Sequence, residues 1–430
     1  MPNQHRNRPR ALVIGAGFGG MQAAQSLAHS GAEVLLIDRQ NYNTFVPLLY
    51  QVAAAQLAPE AIAYPLRTVV RRAPHTRFLR ADVQHVDFEQ QVVATDRGAL
   101  TYDYLVIATG SQTQYLGVPG AAEYGFPLRT LDQAIALRNH LLQRLEAASQ
   151  ETDPVRRQQL LTVVIVGGGP TGVEVAGTLV ELKQAVRRDY PGLNLKELQI
   201  VLIQSGANLL KELPDRLGRY TVRKLQRMGV KVSLQTRVNR VSASQVELDD
   251  GTIFFTDTVV WAAGLEAALP EASVQLMQVR QRKLQVRSTL QLVDHTNVYA
   301  IGDAAYFEQQ GKSLSGVAPE ALQQGVAVAR NIRRQLQGQA PKPFSYLNKG
   351  RLAIIGGYGG AGKIGPFLLT GFLPWFMWLS VHLVYLPGFR NRLMVLLSWL
   401  HAYGFGDRAI RLVLGAPKQQ SHQSPVATTL

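Results

Sequence analysis

Runs of consecutive apolar residues recur along the chain, in ALVI (11–14), EVLLI (33–37), YLVI (104–107), VVIV (163–166), IVLI (200–203), TVVW (258–261) and VYAI (298–301). A strand that is apolar on both faces is one covered on both sides, so these runs predict parallel strands sandwiched between helices. After several of them the pattern changes to helical spacing, as in MQAAQSL (21–27), VEVAGTL (173–179) and APEALQQGVAVARNIRRQL (318–336). An amphipathic helix is also predicted over about 131–148, between the first group of strands and the second.

Two stretches align without gaps: ALVIGAGFGGMQAAQSL (11–27) and VVIVGGGPTGVEVAGTL (163–179). Each is a buried strand, a glycine loop and a helix, and each unit closes on a strand with a small-residue turn, YLVIATG (104–110) and TVVWAAG (258–264). The chain therefore carries one unit twice. TNVYAIGDAAYF (296–307) and the helix after it are read as a return to the first unit. The expected fold is α/β, with two Rossmann-like dinucleotide-binding domains, the second inserted in the first, and a C-terminal helical region that associates with membranes. The predicted boundaries are 1–115 for the first part of domain one, 116–160 for a connecting segment and 161–285 for domain two. Domain one resumes over 286–362, amphipathic helices fill 363–415, and a tail rich in Gln, Ser, Pro and Thr, 416–430, is expected to be disordered.

Composition narrows the chemistry. The chain has 430 residues and no cysteine, which excludes disulfides, cysteine metal sites and any dithiol relay, so redox work must use a bound cofactor. No metal site is expected. A formal charge of +15 favours an anionic partner. Nucleic acid is not expected, because no recognition module is present and the cations are dispersed. The N-terminus MPNQHRNRPR is basic without the apolar run of a secretory signal, so the protein is expected on the cytoplasmic side.

The glycines specify what the units hold. Gly15, Gly17 and Gly20, and again Gly167, Gly169 and Gly172, allow a sharp turn, close approach of a pyrophosphate to backbone amides, and tight packing of the following helix. The helix start then offers unpaired N–H groups to the phosphate. Asp38, at the end of EVLLID, has the spacing of an acid that binds a ribose. Two dinucleotides held together imply a flavin and a nicotinamide, with hydride transfer between them.

With GAGFGG, FVPLLYQVAA (45–54), GGGPTGVE, AIGDAA, APEALQQG, KGRLAIIG (349–356) and GFRNRLMVLLSWL (388–400), the sequence resembles the type II NAD(P)H:quinone oxidoreductases, in the two-dinucleotide-binding flavoprotein superfamily. The resemblance implies FAD on the first loop, with Asp38 on its ribose, Val83 near its adenine, and Thr109, Gly110, Asp303 and Ala318 along the rest. It implies NADH or NADPH on the second loop, with Gln204 and Gly264 beside it, Glu174 next to nicotinamide and flavin, and Gln323 and Lys349 at a quinone site. The family's quinone segment has glutamine after the alanine; here Pro319 stands there. The quinone head group it prefers is thereby left open.

From Ile364 to Phe389 the chain has no charged residue. Pro366, Pro374 and Pro387 interrupt this run and leave WFMWLSVHLVYL (375–386), too short to cross a bilayer. With NRLMVLLSWLHAYG (391–404) it reads as a pair of helices lying in the headgroup region of a membrane surface, flanked by Arg390 and Arg392, with His382 as a packed or snorkelling side chain. From residue 363 on, Lys363, Arg390, Arg392, Arg408, Arg411 and Lys418 face only Asp407, a balance that would be drawn to anionic lipid. A homodimer through the same apolar surface is the alternative.

The resulting expectation is a peripheral flavoenzyme that passes a hydride from NAD(P)H to FAD and two electrons to a membrane quinone, without proton pumping. One rival is the same chemistry on a demethylated naphthoquinone precursor, in a photosynthetic membrane such as the thylakoid. Another is a flavin-binding redox sensor. At the end of LQIVLIQ (198–204), Gln204 occupies the position equivalent to Asp38; lacking a negative charge, it removes a barrier to a 2′-phosphate.

Overall fold

The two glycine-loop units fold into two five-stranded parallel sheets with the same strand arrangement. The computed structural model describes residues 8–406, 408 and 410–413; the expected disordered tail, 416–430, lies outside them. In the first sheet the order is Val298–Ala300, Tyr104–Ile107, Arg10–Ile14, Glu33–Asp38 and Thr76–Arg80. In the second it is Gly125–Pro127, Thr258–Trp261, Thr162–Val166, Gln199–Gln204 and Val230–Leu234. Central strands are sealed on both faces, as their unbroken apolar runs require: Leu12, Val13, Leu105, Val106, Val164 and Val201 have no exposed surface.

The outermost strand of each sheet comes from elsewhere in the chain. Val298–Ala300 follows the second unit and pairs with Tyr104–Ile107, which nests the second domain inside the first. Gly125–Pro127 lies in the segment 116–160 and pairs with Thr258–Trp261, so that segment contributes an edge strand as well as the helix Leu131–Gln150. The two crossings between domains are tied together where Ser111–Thr113 pairs antiparallel with Leu265–Ala267.

The C-terminal region differs from the helical reading of 363–415. Arg351–Gly356, Gly359–Ile364 and Phe367–Gly371 form a three-stranded antiparallel sheet, and the first helix begins at Phe372. The physical reason is local. Gly365, with φ +54°, and Pro366 form a two-residue hairpin between the paired residues Ile364 and Phe367. Pro366 is thus a turn residue of this hairpin, and the helical reading took it only as an interruption of a helix. Pro374 falls in the first turn of helix Phe372–Tyr385, where no amide hydrogen bond is lost. That helix has 14 residues, about 21 Å, and no helix among the described residues is long and apolar enough to cross a membrane.

The second tail helix, Phe389–Phe405, packs back onto the first domain. Buried Asn391 donates from Nδ2 to the carbonyls of Glu60, Ala61 and Ala63, which keeps a polar group from being stranded in the contact. Trp375, Trp378, Leu386, Val395 and Trp399 are buried in the same core as Phe45, Leu49 and Tyr50. On the other side of the two helices, Phe376, Leu397 and Leu400 are 54%, 56% and 60% exposed. Each tail helix therefore has one face in the protein core and one exposed apolar face among the described residues.

Candidate active site

Both glycine loops are built by contact. At Gly15, φ is +95° and an added Cβ would lie 2.4 Å from the Ala108 carbonyl oxygen; at Gly20 it would lie 1.8 Å from that of Gly15. Gly167, at φ +111°, and Gly172, 1.9 Å from the Gly167 oxygen, repeat the arrangement. These four positions exclude any side chain. Gly17 and Gly169, by contrast, face open space. Asp38 accepts from the amides of Ala16 and Gln40 at 2.7 and 2.8 Å. Burial nevertheless raises its pKa, against the pull of those two amides and of Arg39. Gln204 Oε1 accepts from the Gly168 amide at 2.9 Å, so the two residues hold their loops in the same way.

A cleft of about 1880 Å³ runs between the domains and under the first tail helix. It gathers Gly17, Gly110, Asp303 and Ala318 from the first domain, Glu174 and Gly264 from the second, and Gln323 and Lys349. Gly15, Gly20, Asp38, Val83, Thr109, Gly167, Gly169, Gly172 and Gln204 lie behind or beyond its surface. Of these, Val83 starts a strand of a separate sheet and pairs with Thr95.

Two features fit a flavin nucleotide in the first-domain part of this cleft. Cβ atoms at Gly17 and Gly110 would meet no protein atom, so the backbone there is bare. Thr109 Oγ1, next to Gly110 and behind the cleft surface, is buried and has no hydrogen-bond partner among the described residues. Asp303 is not a plain turn residue. Ser111 Oγ donates to it at 2.6 Å and Arg129 forms an ion pair with it. Neither Ser111 nor Arg129 carries a motif, so sequence reasoning missed both. It also missed Gln324, whose Oε1 accepts from the Gly302 amide at 2.6 Å, and Glu320, which accepts from the amides of Gly316 and Val317. Together they fix the AIGDAA turn against the start of helix Ala318–Leu336.

Glu174 lies on helix Pro170–Ala185 and is buried. Burial raises its pKa well above the carboxylate range, and a hydrogen bond from the Ile354 backbone offsets this only in part. Ile354 reaches it because Gly177, one turn along, lets the strand Arg351–Gly356 touch the helix; an added Cβ would sit 1.7 Å from the Ile355 oxygen. Tyr50 also lines the cleft, and burial first, then the neighbouring Glu174 carboxyl, raises its pKa. The arrangement places a buried carboxyl, biased toward its protonated form by burial, at the boundary of the two domains.

The expected quinone residues separate. Lys349 is exposed on the cleft wall. Gln323 uses both ends of its amide on the backbone of Leu347, donating to its carbonyl at 3.0 Å and accepting from its amide at 2.9 Å, so it fixes the segment that leads to Lys349. Pro319 lines the cleft in the helix's first turn. His382 also lines it, stacked on Trp378 with ring centroids 3.7 Å apart, and burial lowers its pKa to about 4.

Two nested dinucleotide-binding domains whose helix starts, at Phe18 and Pro170, open onto one cleft define a pyridine-nucleotide oxidoreductase. The family model described as pyridine nucleotide-disulphide oxidoreductase matches residues 9–325. The chain is 34% identical over 413 residues to the type II NADH:quinone oxidoreductase Ndh of Mycobacterium tuberculosis, covering 92% of this chain and 88% of that protein. It is 33% identical over 416 residues to the NdhA protein of the same organism, covering 93% and 88%. The solved structure of NDH2 from Plasmodium falciparum in complex with NADH superimposes with a TM-score of 0.86 at 19% identity, covering 95% of this chain and all of that one. The chain belongs to the type II NADH:quinone oxidoreductases and is an enzyme of that type. With no cysteine, it has no counterpart to the disulphide in the broader family's name.

Proposed function

We propose that this chain binds FAD on its first domain and NADH or NADPH on its second, and that it passes electrons to a membrane quinone while resting on the membrane through its tail helices. The observation that carries this reading is the single cleft, which joins Gly17 and Asp303 to Glu174 and Gly264 and continues to Trp378 and His382 on the tail. When bound, the flavin supplies hydride acceptance from the nicotinamide and two-electron delivery to the quinone. The amides of the first loop and the N-terminus of helix Phe18–Leu27 hold the pyrophosphate, and Asp38 holds the ribose. Asp303, kept in place by Ser111 and Arg129, orients the sugar-alcohol chain. Glu174 keeps a proton at its carboxyl oxygen, close to where quinone reduction consumes one.

The test is anaerobic. NADH should bleach the flavin absorbance, and adding quinone should restore it; an unbleached flavin would sink the reading. In the same assay Glu174→Ala should keep its flavin content and NADH bleaching while turnover with quinone falls by roughly 10²-fold or more, the scale of a lost proton donor. Glu174→Gln gives a stability readout. Because the folded pKa is raised above the unfolded value near 4.3, the native state holds more protons, and wild-type stability falls as pH rises through the window between the two. The glutamine variant should therefore gain stability over wild type toward neutral and alkaline pH and match it below about pH 4. Equal denaturation midpoints across that range would mean that Glu174 is not buried as a neutral acid.

Nucleotide choice turns on position 204. Gln204 reproduces the loop contact of Asp38 without its negative charge, so NADPH is expected to be oxidised alongside NADH. Gln204→Glu should shift the ratio of kcat/KM values toward NADH by about tenfold, the effect of like-charge repulsion on a 2′-phosphate worth ~1.4 kcal/mol. No NADPH oxidation by wild type would refute this assignment.

A further inference from the structure

The cleft does not end at Lys349. It follows one face of helix Ala318–Leu336, through Leu322, Val326 and Arg330, to Arg333, Arg334 and Gln337 at the helix's far end. Its floor there is the face of helix Phe18–Leu27 bearing Met21, Gln22 and Gln25, which packs against both Ala318–Leu336 and Leu66–Val70. Arg72, just past that short helix, and Arg392, on the second tail helix, belong to the same lining. The tail is fixed at this place, because Gly388 sits directly against the ring of Tyr64.

The charge of this outer stretch is one-sided. Arg72, Arg330, Arg333 and Arg392 are all exposed, and among the described residues none of them forms an ion pair with a carboxylate. The carboxylates lining the cleft are Glu174, Glu212 and Asp303; the last two are already paired with Arg351 and Arg129, and none lies on the outer elements. Next to this cationic end, Tyr385 and Phe389 begin the bare apolar face of the tail helices, 46% and 80% exposed. A cationic notch opening onto an apolar shelf matches one chemistry, an anionic head on a hydrocarbon tail.

We propose that the outer end of the cleft binds the phosphodiester headgroup of an anionic phospholipid, with Arg72, Arg330, Arg333 and Arg392 around the phosphate and the acyl chains on the apolar face. The proposal rests on the membrane reading above and adds to it a headgroup site on the first domain, completed by Arg392 of the tail. Of the tail cations, Arg408 is buried against Glu181 and Arg411 is paired with Asp189, whereas Arg392 stands at the notch beside Arg72, Arg330 and Arg333 of the first domain.

Sedimentation of the full chain with phosphatidylcholine vesicles, and with vesicles that also contain phosphatidylglycerol, tests this. Wild type should bind the anionic vesicles more tightly. Arg72→Gln/Arg330→Gln/Arg333→Gln should lose that advantage by roughly 100-fold, at about fivefold per charge removed, while keeping its affinity for neutral vesicles and its activity with a water-soluble quinone. Removing the same charge elsewhere, as Arg240→Gln/Arg280→Gln/Lys312→Gln, should change the preference little. The assignment is overturned if both triple variants lose the preference equally, or if inorganic phosphate at constant ionic strength abolishes it. Equal binding of wild type to both vesicles overturns the headgroup site and leaves the anchoring reading standing. Binding to neither overturns both.

Discussion

Trp399→Ala is expected to destabilise the protein by about 3–5 kcal/mol, the range for emptying a buried aromatic site. Trp399 is 4% exposed, and its Nε1 donates at 2.8 Å to Oε1 of Gln51, which is fully buried. Gln51 in turn donates to the hydroxyl of Tyr50 at 2.9 Å, and Tyr50 packs edge-on against Trp378 and lines the cleft. Truncation would leave a cavity and strip the Gln51 carbonyl of its donor, and an unsatisfied buried acceptor is costly in itself. Trp399→Phe keeps most of the volume and loses only the hydrogen bond, so it should cost about 1–2 kcal/mol. Chemical denaturation of the two variants separates cavity from hydrogen bond. An unchanged midpoint for Trp399→Ala would show that the tail is an appendage and not part of the core. The same burial makes deletion of residues 364 onward a poor test of membrane binding, since it would remove Trp375, Trp378 and Trp399 together with the strand Phe367–Gly371.

Phe376→Glu/Leu397→Glu/Leu400→Glu is the cleaner test, and it should release the protein from membranes while leaving the fold intact. All three side chains are more than half exposed and none lines the cleft. Each contributes ~1.5 kcal/mol or more on entering an apolar phase, so losing three lowers partitioning by roughly 1000-fold. Flotation of wild type and variant with lipid vesicles measures this, and the flavin spectrum checks the fold. If the variant floats as wild type does, the anchor lies elsewhere. If it loses a dimer on gel filtration while keeping vesicle binding, the apolar face joins two copies of the chain.

Much of the cofactor machinery was legible because it obeys local rules. A strand covered on both faces must be apolar throughout, and a loop position where an added Cβ would lie 1.8–2.8 Å from a backbone atom must be glycine, so Gly15, Gly20, Gly167 and Gly172 announce themselves within a few positions. The repetition of that pattern disclosed two domains before any contact was known. The tail shows where such rules stop. The uncharged stretch from Ile364 reads as helix broken by prolines, yet the Gly365–Pro366 pair makes a hairpin whose first strand, Gly359–Ile364, also pairs with Arg351–Gly356, a partner that periodicity cannot supply.

The sequence by itself determined the duplicated dinucleotide-binding design, the absence of thiol chemistry, the equivalent strand-end positions of Asp38 and Gln204 and the short apolar tail helices. Tertiary structure decided what those parts meet. It brought Ser111 and Arg129 onto Asp303 from 192 and 174 residues away, and it buried Glu174 under Ile354, which pushes the carboxyl pKa upward. It also turned one face of the tail into the core and left the other bare. Periodicity and glycine constraints act over a few residues of chain, whereas burial, pKa and ion pairing depend on neighbours that only packing brings together.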